Sequence, residues 1–268
     1  MKAVVLARGL GTRMRRADSR ASIDDRQAAV ADQGIKAMIP IGRPFLDFVL
    51  SALADAGIAD VCLVIGPEHG AVREHYERNT LLDRIRVSFA IQERPLGTAD
   101  AVLAAEQFVD GDRFLVMNAD NYYPVAAYEA LRALAEPGLA AFDRDALLAD
   151  GRIDPDRIMR FALLDVGGDG YLRRIVEKPD AATARAMGRS ALVSMNLWCF
   201  EPTIFEPCRT VAPSARGELE VPVAVQHAME AYGLRFRAVP IRAPVLDLSS
   251  RADIERVGEA LVGVDVRL

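Results

Sequence analysis

Residues Ala3–Ala7 are apolar without interruption, and they pass directly into a glycine turn, Gly9-Leu10-Gly11-Thr12-Arg13. A strand with no alternation of apolar and polar residues has no face for water, so it belongs inside a sheet covered on both sides. Glycines in the turn lack a β-carbon and tolerate positive φ, which lets main-chain N–H groups approach an anion closely. Phosphate is the natural anion. The spacing is not the Walker pattern, because no Gly-Lys-Ser/Thr follows, and it is not the dinucleotide pattern, because the third glycine is missing. A tight strand-to-loop connection explains the same residues without a ligand.

The rest of the chain keeps alternating strand and helix. Asp60–Ile65, Arg86–Ile91 and Arg113–Met117 read as strands. Phe45–Ala56 sets Phe45, Phe48, Val49, Leu53 and Ala56 on one stripe, and Thr98–Phe108 does the same with Ala101, Val102, Ala105 and Phe108. This alternation predicts an α/β fold with a mainly parallel central sheet flanked by helices. After Gly138 the texture changes: Ile158–Val166 and Tyr171–Val176, joined through Gly167, Gly168, Asp169 and Gly170, read as an antiparallel hairpin in a smaller mixed lobe. The expected organisation is a lobe over residues 1–137, a second over 138–248, and a C-terminal stretch 249–268 whose helix, Arg251–Val262, packs Ile254, Val257 and Leu261 back on the sheet. The three parts would form one compact unit. Arg15–Gly34 is long for a connection. It either carries a short helix over Ile23–Ala31 and acts as a lid, or is a mobile insertion without a role.

With 33 Lys and Arg against 38 Asp and Glu, the charge balance gives no support to nucleic-acid or anionic-membrane binding and leaves small ligands as the default. No segment approaches membrane-spanning length, and the opening MKAVVLA is too short and ends at Arg8 rather than at a small-residue cleavage site. Cys62, Cys199 and Cys208 lack zinc-ligand spacing, and the first two sit in apolar strand-like runs, which points to a reducing cytoplasm. His69, His75 and His227 have neither zinc spacing nor an acid-base partner and read as surface or packing residues.

Five further segments carry candidate chemistry. Lys36 precedes an apolar stretch in which Pro44 suits the first turn of a helix, and it is either a point charge for a phosphate or a solvated lysine. Gln92 has an amide suited to a nucleobase edge, and Gly97 leaves room beside the main chain, although Thr98 as a helix cap accounts for the same stretch. Asp120 follows an apolar strand, at the edge where open α/β sheets bind ligands, and is either a cation ligand or a turn former. Glu177 and Lys178 suit a sugar hydroxyl and a phosphate, or a surface ion pair; Asp247 suits a second metal ligand, or the approach to the last helix.

Taken together, GLGTRM, the Lys36–Leu50 segment, PLGTADA, MNADN, VEKP, SMNLWCF and the stretch around Asp247 resemble the sugar-1-phosphate nucleotidyltransferases, the nucleoside-diphosphate-sugar pyrophosphorylases, over almost the whole chain. The resemblance implies a Rossmann-like nucleotide-diphospho-sugar transferase fold with a sugar-binding lobe. It also implies a magnesium ion, and transfer of a nucleoside monophosphate from a triphosphate to a sugar 1-phosphate of the glucose-1-phosphate kind. By that likeness Leu6, Ala7, Gly9, Gly11, Thr12 and Arg13 hold the nucleotide together with Gln92, Pro95, Gly97 and Thr98. Asp120 and Asp247 hold magnesium, and Asn118, Glu177, Lys178, Asn196 and Glu218 line the sugar-phosphate site. Arg13, Lys36, Asp120 and Lys178 are the residues expected to act in catalysis. A phosphate monoester is largely dianionic at neutral pH and needs no general base, so the work is positioning and charge neutralisation.

The same chemistry on a cyclitol phosphate, phosphocholine or a phosphonate, and a non-catalytic regulatory subunit, are alternatives. ATP, UTP and dTTP all stay open, and an assembly of identical subunits is compatible with the reading. Four departures from the family pattern stand out. Arg8 fills a slot usually held by a small residue, where it either adds a phosphate contact or crowds the base. Ala119 and Asn196 each stand where glycine is common, and Arg15–Gly34 is longer than the usual connection.

Overall fold

A computed structural model describes residues 1–268 apart from 20, 150–152, 154, 189 and 215. Strand β1 (Lys2–Leu6) leads through the glycine turn to helices α1 (Thr12–Arg15) and α2 (Asp25–Gln33), and a short hairpin of β2 (Pro40–Ile41) and β3 (Arg43–Pro44) delivers helix α3 (Phe45–Asp55). Then come β4 (Asp60–Ile65), α4 (Gly70–Glu74), β5 (Arg86–Ile91), α5 (Thr98–Ala104), α6 (Glu106–Val109), β6 (Phe114–Asn118), β7 (Asn121–Tyr122) and α7 (Val125–Arg132). The second half runs through β8 (Gly138–Phe142), α8 (Arg144–Leu148), α9 (Pro155–Ile158), β9 (Ala162–Val166), β10 (Leu172–Val176) and α10 (Ala181–Met187). It closes with β11 (Leu192–Phe200), α11 (Phe205–Thr210), α12 (Val221–Tyr232), β12 (Arg237–Ile241), β13 (Leu246–Asp247) and α13 (Ala252–Leu261).

Among the described residues, nine strands form one sheet in the order β10, β9, β11, β6, β1, β4, β5, with β8 paired to β11 and β12 to β8. The half built on β1 is parallel: β1 pairs with β4 and β6, and β4 with β5. Register places Val4 beside Cys62 and Val116, and Val5 beside Leu63 and Met117. Because successive side chains point to opposite faces, the first row packs under α5, α11 and α12 and the second under α3, α7 and α13. Both faces are buried, which is why these strands read as unbroken apolar runs.

Strand β11 joins the parallel half to an antiparallel extension. One edge follows β8, while the other is shared, Leu192–Ser194 pairing with β9 and Trp198–Phe200 with β6. Between these stretches the register shifts and Asn196 takes φ +59°. This bulge parts β9 from β6 and leaves a fork in the sheet.

The strands form within a residue of their predicted bounds, and the hairpin forms over Ala162–Val166 and Leu172–Val176, while Ile158 belongs to α9. The helix expected over Thr98–Phe108 is divided at Ala105 into α5 and α6. Pro44 is the cap of α3, at φ −52° and ψ 136°, and lies ahead of its first turn. Thr98 does not cap its own helix: Gly97 holds that position, and Thr98 Oγ1 instead accepts from the Val221 N–H at the start of α12 (2.9 Å). The helix expected within Arg15–Gly34 is present as α2, two residues later, with Asp24 and Gln27 in a reciprocal capping box and Gly34 in the left-handed conformation at its end. Two arginines hold this region: Arg15 donates to the Gln33 carbonyl (2.8 Å) and Arg251, ahead of α13, to the Met14 carbonyl (2.9 Å).

Gly11 has φ +59°, and a β-carbon there would run into the carbonyl of Gly34, whereas Gly9 has open space around it. Gly11→Ala is therefore expected to lower stability by about 1–3 kcal/mol. Gly9→Ala should stay within about 0.5 kcal/mol of the parent. Urea denaturation midpoints of the two variants check the difference.

Candidate active site

A cleft of about 480 Å³ opens over the carboxyl ends of the parallel strands, the edge at which open α/β sheets take their ligands. Every residue predicted for the site lines it. Leu6, Ala7, Gly9, Gly11, Thr12 and Arg13 follow β1 at the centre; Gln92, Pro95, Gly97 and Thr98 follow β5 towards one end. Asn118 and Asp120 come from the end of β6, with Lys36 and Asp247 beside them, and Asn196 on β11 and Glu177 and Lys178 after β10 lie towards the other end. Glu218 also borders the cleft.

At the β5 end, Gly97 has φ +124° and the main chain of Leu219 lies where a β-carbon would stand. Leu219 N–H donates to the Leu96 carbonyl and Ala99 N–H to the Leu219 carbonyl, both at 2.8 Å, so the turn is clamped to the segment before α12. Gln92 is 4% exposed, and its Nε2 donates to the Gly97 carbonyl (3.0 Å) and to Asp100 Oδ2 (2.7 Å). Both amide hydrogens thus brace the turn, and Oε1 is what the side chain leaves for a ligand.

At the centre, Lys36 Nζ lies 2.7 Å from Asp120 Oδ2. Strand β13 pairs antiparallel with β7, placing Asp247 opposite Asn121, and Leu248 N–H donates to the Asp120 carbonyl (2.9 Å). That small ribbon brings together two acids far apart in the chain. Asp247 accepts from Asn121 Nδ2 (3.3 Å) and Ser249 Oγ (3.2 Å) and pairs with Arg157, whose other terminal nitrogen lies 2.6 Å from Asp253. Burial pushes the Asp247 carboxyl up to about 6, with Arg157 opposing the rise and the charge of Asp120 adding to it. Two carboxyl groups offer the oxygen ligands that a hard divalent cation takes, and a cation there would favour the ionised form of Asp247 that its burial opposes. In this structure the guanidinium of Arg157 supplies the positive charge there. Among the described residues no group of three or more acids, histidines or cysteines gathers around a point.

Towards the other end Lys178, at φ +45°, pairs with Glu177 (3.2 Å) and with the buried Glu220 (3.6 Å), which also meets Arg216. Asn196 tolerates its left-handed conformation as few residues other than glycine do, which explains why it can stand in a glycine position. Arg13 has no ion-pair partner among the described residues.

Sequence reasoning missed Arg157, Arg160, Arg216 and Glu220, all of which line the cleft or pair with residues that do. They sit in charged stretches without periodicity, so only their positions in space mark them. The histidines pack, although His75 has an acid partner that the sequence did not show: it meets Asp47 (3.2 Å) and Thr80 (3.0 Å), while His69 Nδ1 accepts from Gly66 N–H (3.2 Å) and His227 meets Thr210 (3.2 Å).

Residues 26–239 match the family profile described as nucleotidyl transferase. The chain is 28% identical over 98% of its length to a glucose-1-phosphate thymidylyltransferase of Streptomyces antibioticus, of which it spans 66%. It is 27% identical to the UTP–glucose-1-phosphate uridylyltransferase AglF of Haloferax volcanii, with 97% of this chain and 96% of that protein covered. A solved UDP-glucose pyrophosphorylase complexed with UDP-glucose superposes with a TM-score of 0.75 at 17% identity, over 97% of this chain and 98% of the other, which establishes the shared fold.

Removing the guanidinium at Arg157 leaves Asp247 and Asp253 facing each other without it. Arg157→Met is expected to lose about 3–5 kcal/mol of stability in the presence of a chelator. Magnesium should restore part of that loss, because a cation can replace the missing charge. Thermal denaturation with chelator or magnesium measures both, and absence of recovery would remove the acids as a cation site.

Proposed function

Because this chain belongs to the nucleotidyl transferase family, we propose that it moves a nucleoside monophosphate from a triphosphate to a sugar 1-phosphate, giving a nucleoside-diphosphate sugar and pyrophosphate. The observation that carries this is the convergence of Arg13, Lys36, Asp120, Lys178 and Asp247 on one cleft over the sheet edge. In the proposed reaction an oxygen of the sugar phosphate attacks the α-phosphorus. The bond to the bridging oxygen breaks, and pyrophosphate leaves with the electron pair.

Arg13, which lacks an ion-pair partner among the described residues, is free to meet the triphosphate beside the glycine turn. Lys36, held by Asp120, adds charge where the two phosphates approach each other. Lys178 would orient the sugar phosphate, and Glu177 and Asn196 offer hydrogen-bonding groups for sugar hydroxyls. Asp120 and Asp247 would hold magnesium, which when bound screens the phosphate charges and polarises the reacting phosphorus. With both hydrogens of Gln92 engaged, Oε1 accepts from a base N–H. Uracil and thymine carry one at N3, in keeping with the uridylyl- and thymidylyltransferases among the relatives. We also place the protein in a reducing cytoplasm, a reading supported by three buried, unpaired cysteines. Among the described residues no helix is long and apolar enough to cross a membrane.

A pyrophosphate-release assay of the common nucleoside triphosphates against sugar, cyclitol and choline phosphates tests the reading. Magnesium-dependent turnover of UTP or dTTP with glucose 1-phosphate is the expected result. Asp120→Asn should lower that turnover by about a hundredfold or more with little change in melting temperature, since it removes a charge at the cleft and no core volume. Parent-like turnover in this variant would refute the role of Asp120.

A further inference from the structure

The arginine that departs from the family pattern is nearly enclosed. The side chain of Arg8 is 7% exposed, and its Nε and Nη2 each donate at 3.3 Å to the two carboxylate oxygens of Glu68. Its remaining nitrogen, Nη1, is buried and has no hydrogen-bond partner among the described residues, although the residue lines the cleft. A buried charged donor left unpaired is unfavourable, and such groups persist where a ligand completes them.

The strand order fixes which part of a ligand Arg8 meets. Strand β4 lies between β1 and β5, and the guanidinium lies against Gly66, the residue that follows β4, where a β-carbon would run into Arg8 Nε and the Glu68 carboxylate. Gln92 follows β5, and its N–H donates to the carbonyl of Ile65, the last residue of β4. Arg8 therefore lies on the Gln92 side of the glycine turn. Asp120, which follows β6, and its partner Lys36 lie on the opposite side of β1. This placement sets the Arg8–Glu68 pair on the β4 and β5 side of the cleft, the side of Gln92.

We infer that Arg8 is a specificity residue for the nucleobase, its Nη1 donating to a ring carbonyl next to the N–H that Gln92 Oε1 accepts. A donor and an acceptor side by side match the O=C–N–H edge of uracil or thymine, an edge that guanine also presents at C6 and N1. Adenine has no carbonyl to offer, and cytosine has no ring N–H beside its own. The inference rests on the proposed nucleotidyl transfer, because it requires a nucleotide lying in this cleft with its base over β4 and β5.

Calorimetric titration of the whole protein with UMP, AMP and pyrophosphate tests it, alongside pyrophosphate release by the parent. In Arg8→Ala, UMP should bind about tenfold more weakly, the effect of one charge-assisted hydrogen bond, while AMP and pyrophosphate bind as to the parent within about twofold. Arg8→Lys, which keeps a point charge without the planar fork, should show the same selective loss of UMP. Equal weakening of UMP and pyrophosphate in Arg8→Ala would make Arg8 a phosphate contact and overturn the inference. Unchanged binding of all three would leave it a structural partner of Glu68 and also overturn it. In either case a parent that releases pyrophosphate keeps the proposed function standing, whereas a parent that turns over no triphosphate and binds no UMP overturns both.

Discussion

Burial of both faces of the parallel strands is the constraint from which the rest of this structure follows. Val4 and Val5, neighbours in sequence, belong to different cores, so the sheet can present ligand-binding groups only at its ends. Helices cover the faces, and the chain must leave each parallel strand at the same edge. The glycine turn after β1, the Gln92 turn after β5 and Asp120 after β6 are consequently neighbours, however far apart they are in the chain. A cleft with mixed cationic and acidic walls at that edge is a result of topology before it is a result of chemistry.

Strained or unusual backbone is concentrated where the cleft is shaped. Asn196 at φ +59° and Lys178 at φ +45° both border it, as does Gly97 at φ +124°. Two of the three, Asn196 and Gly97, have a physical cause that can be named. The bulge at Asn196 lets β11 change partners from β9 to β6, and the resulting fork opens the cleft towards Asn118. Gly97 permits the main chain of Leu219 to dock directly on the turn. For the two residues with a β-carbon, Asn196 and Lys178, such conformations cost of the order of 1–3 kcal/mol each, whereas glycine adopts positive φ without that strain.

Charge in the cleft is distributed unevenly. Lys36 and Asp120 form a partly exposed pair, while Asp247 sits behind them, buried and pushed up to about 6 by that burial. A buried acid in that state calls for a cation, and Arg157 meets the need while also bridging to Asp253. Arg8 is the complementary case at the other side of β1, a cation with an acid on one flank and, among the described residues, no hydrogen-bond partner on the other.

The order of elements was legible in the sequence because unbroken apolar runs and amphipathic stripes are local signals: β1, β4, β5, β6 and α3 stand within a residue or so of where periodicity puts them. Glycine positions and the acid after β6 marked candidates, each with an ordinary structural reading beside it, and the resemblance to a known family joined them into one expected site. Tertiary structure alone decided the remainder. The helix that Thr98 serves is α12 and not its own, since a hydroxyl caps whichever N-terminus lies within reach. Gln92 has both hydrogens taken by the turn it supports. Asp247 meets Asp120 through the ribbon of β7 and β13, and Arg157 meets Asp247 out of a charged stretch without period. Pairings of this kind depend on distance in space between segments remote in sequence, and no local pattern of residues encodes that distance.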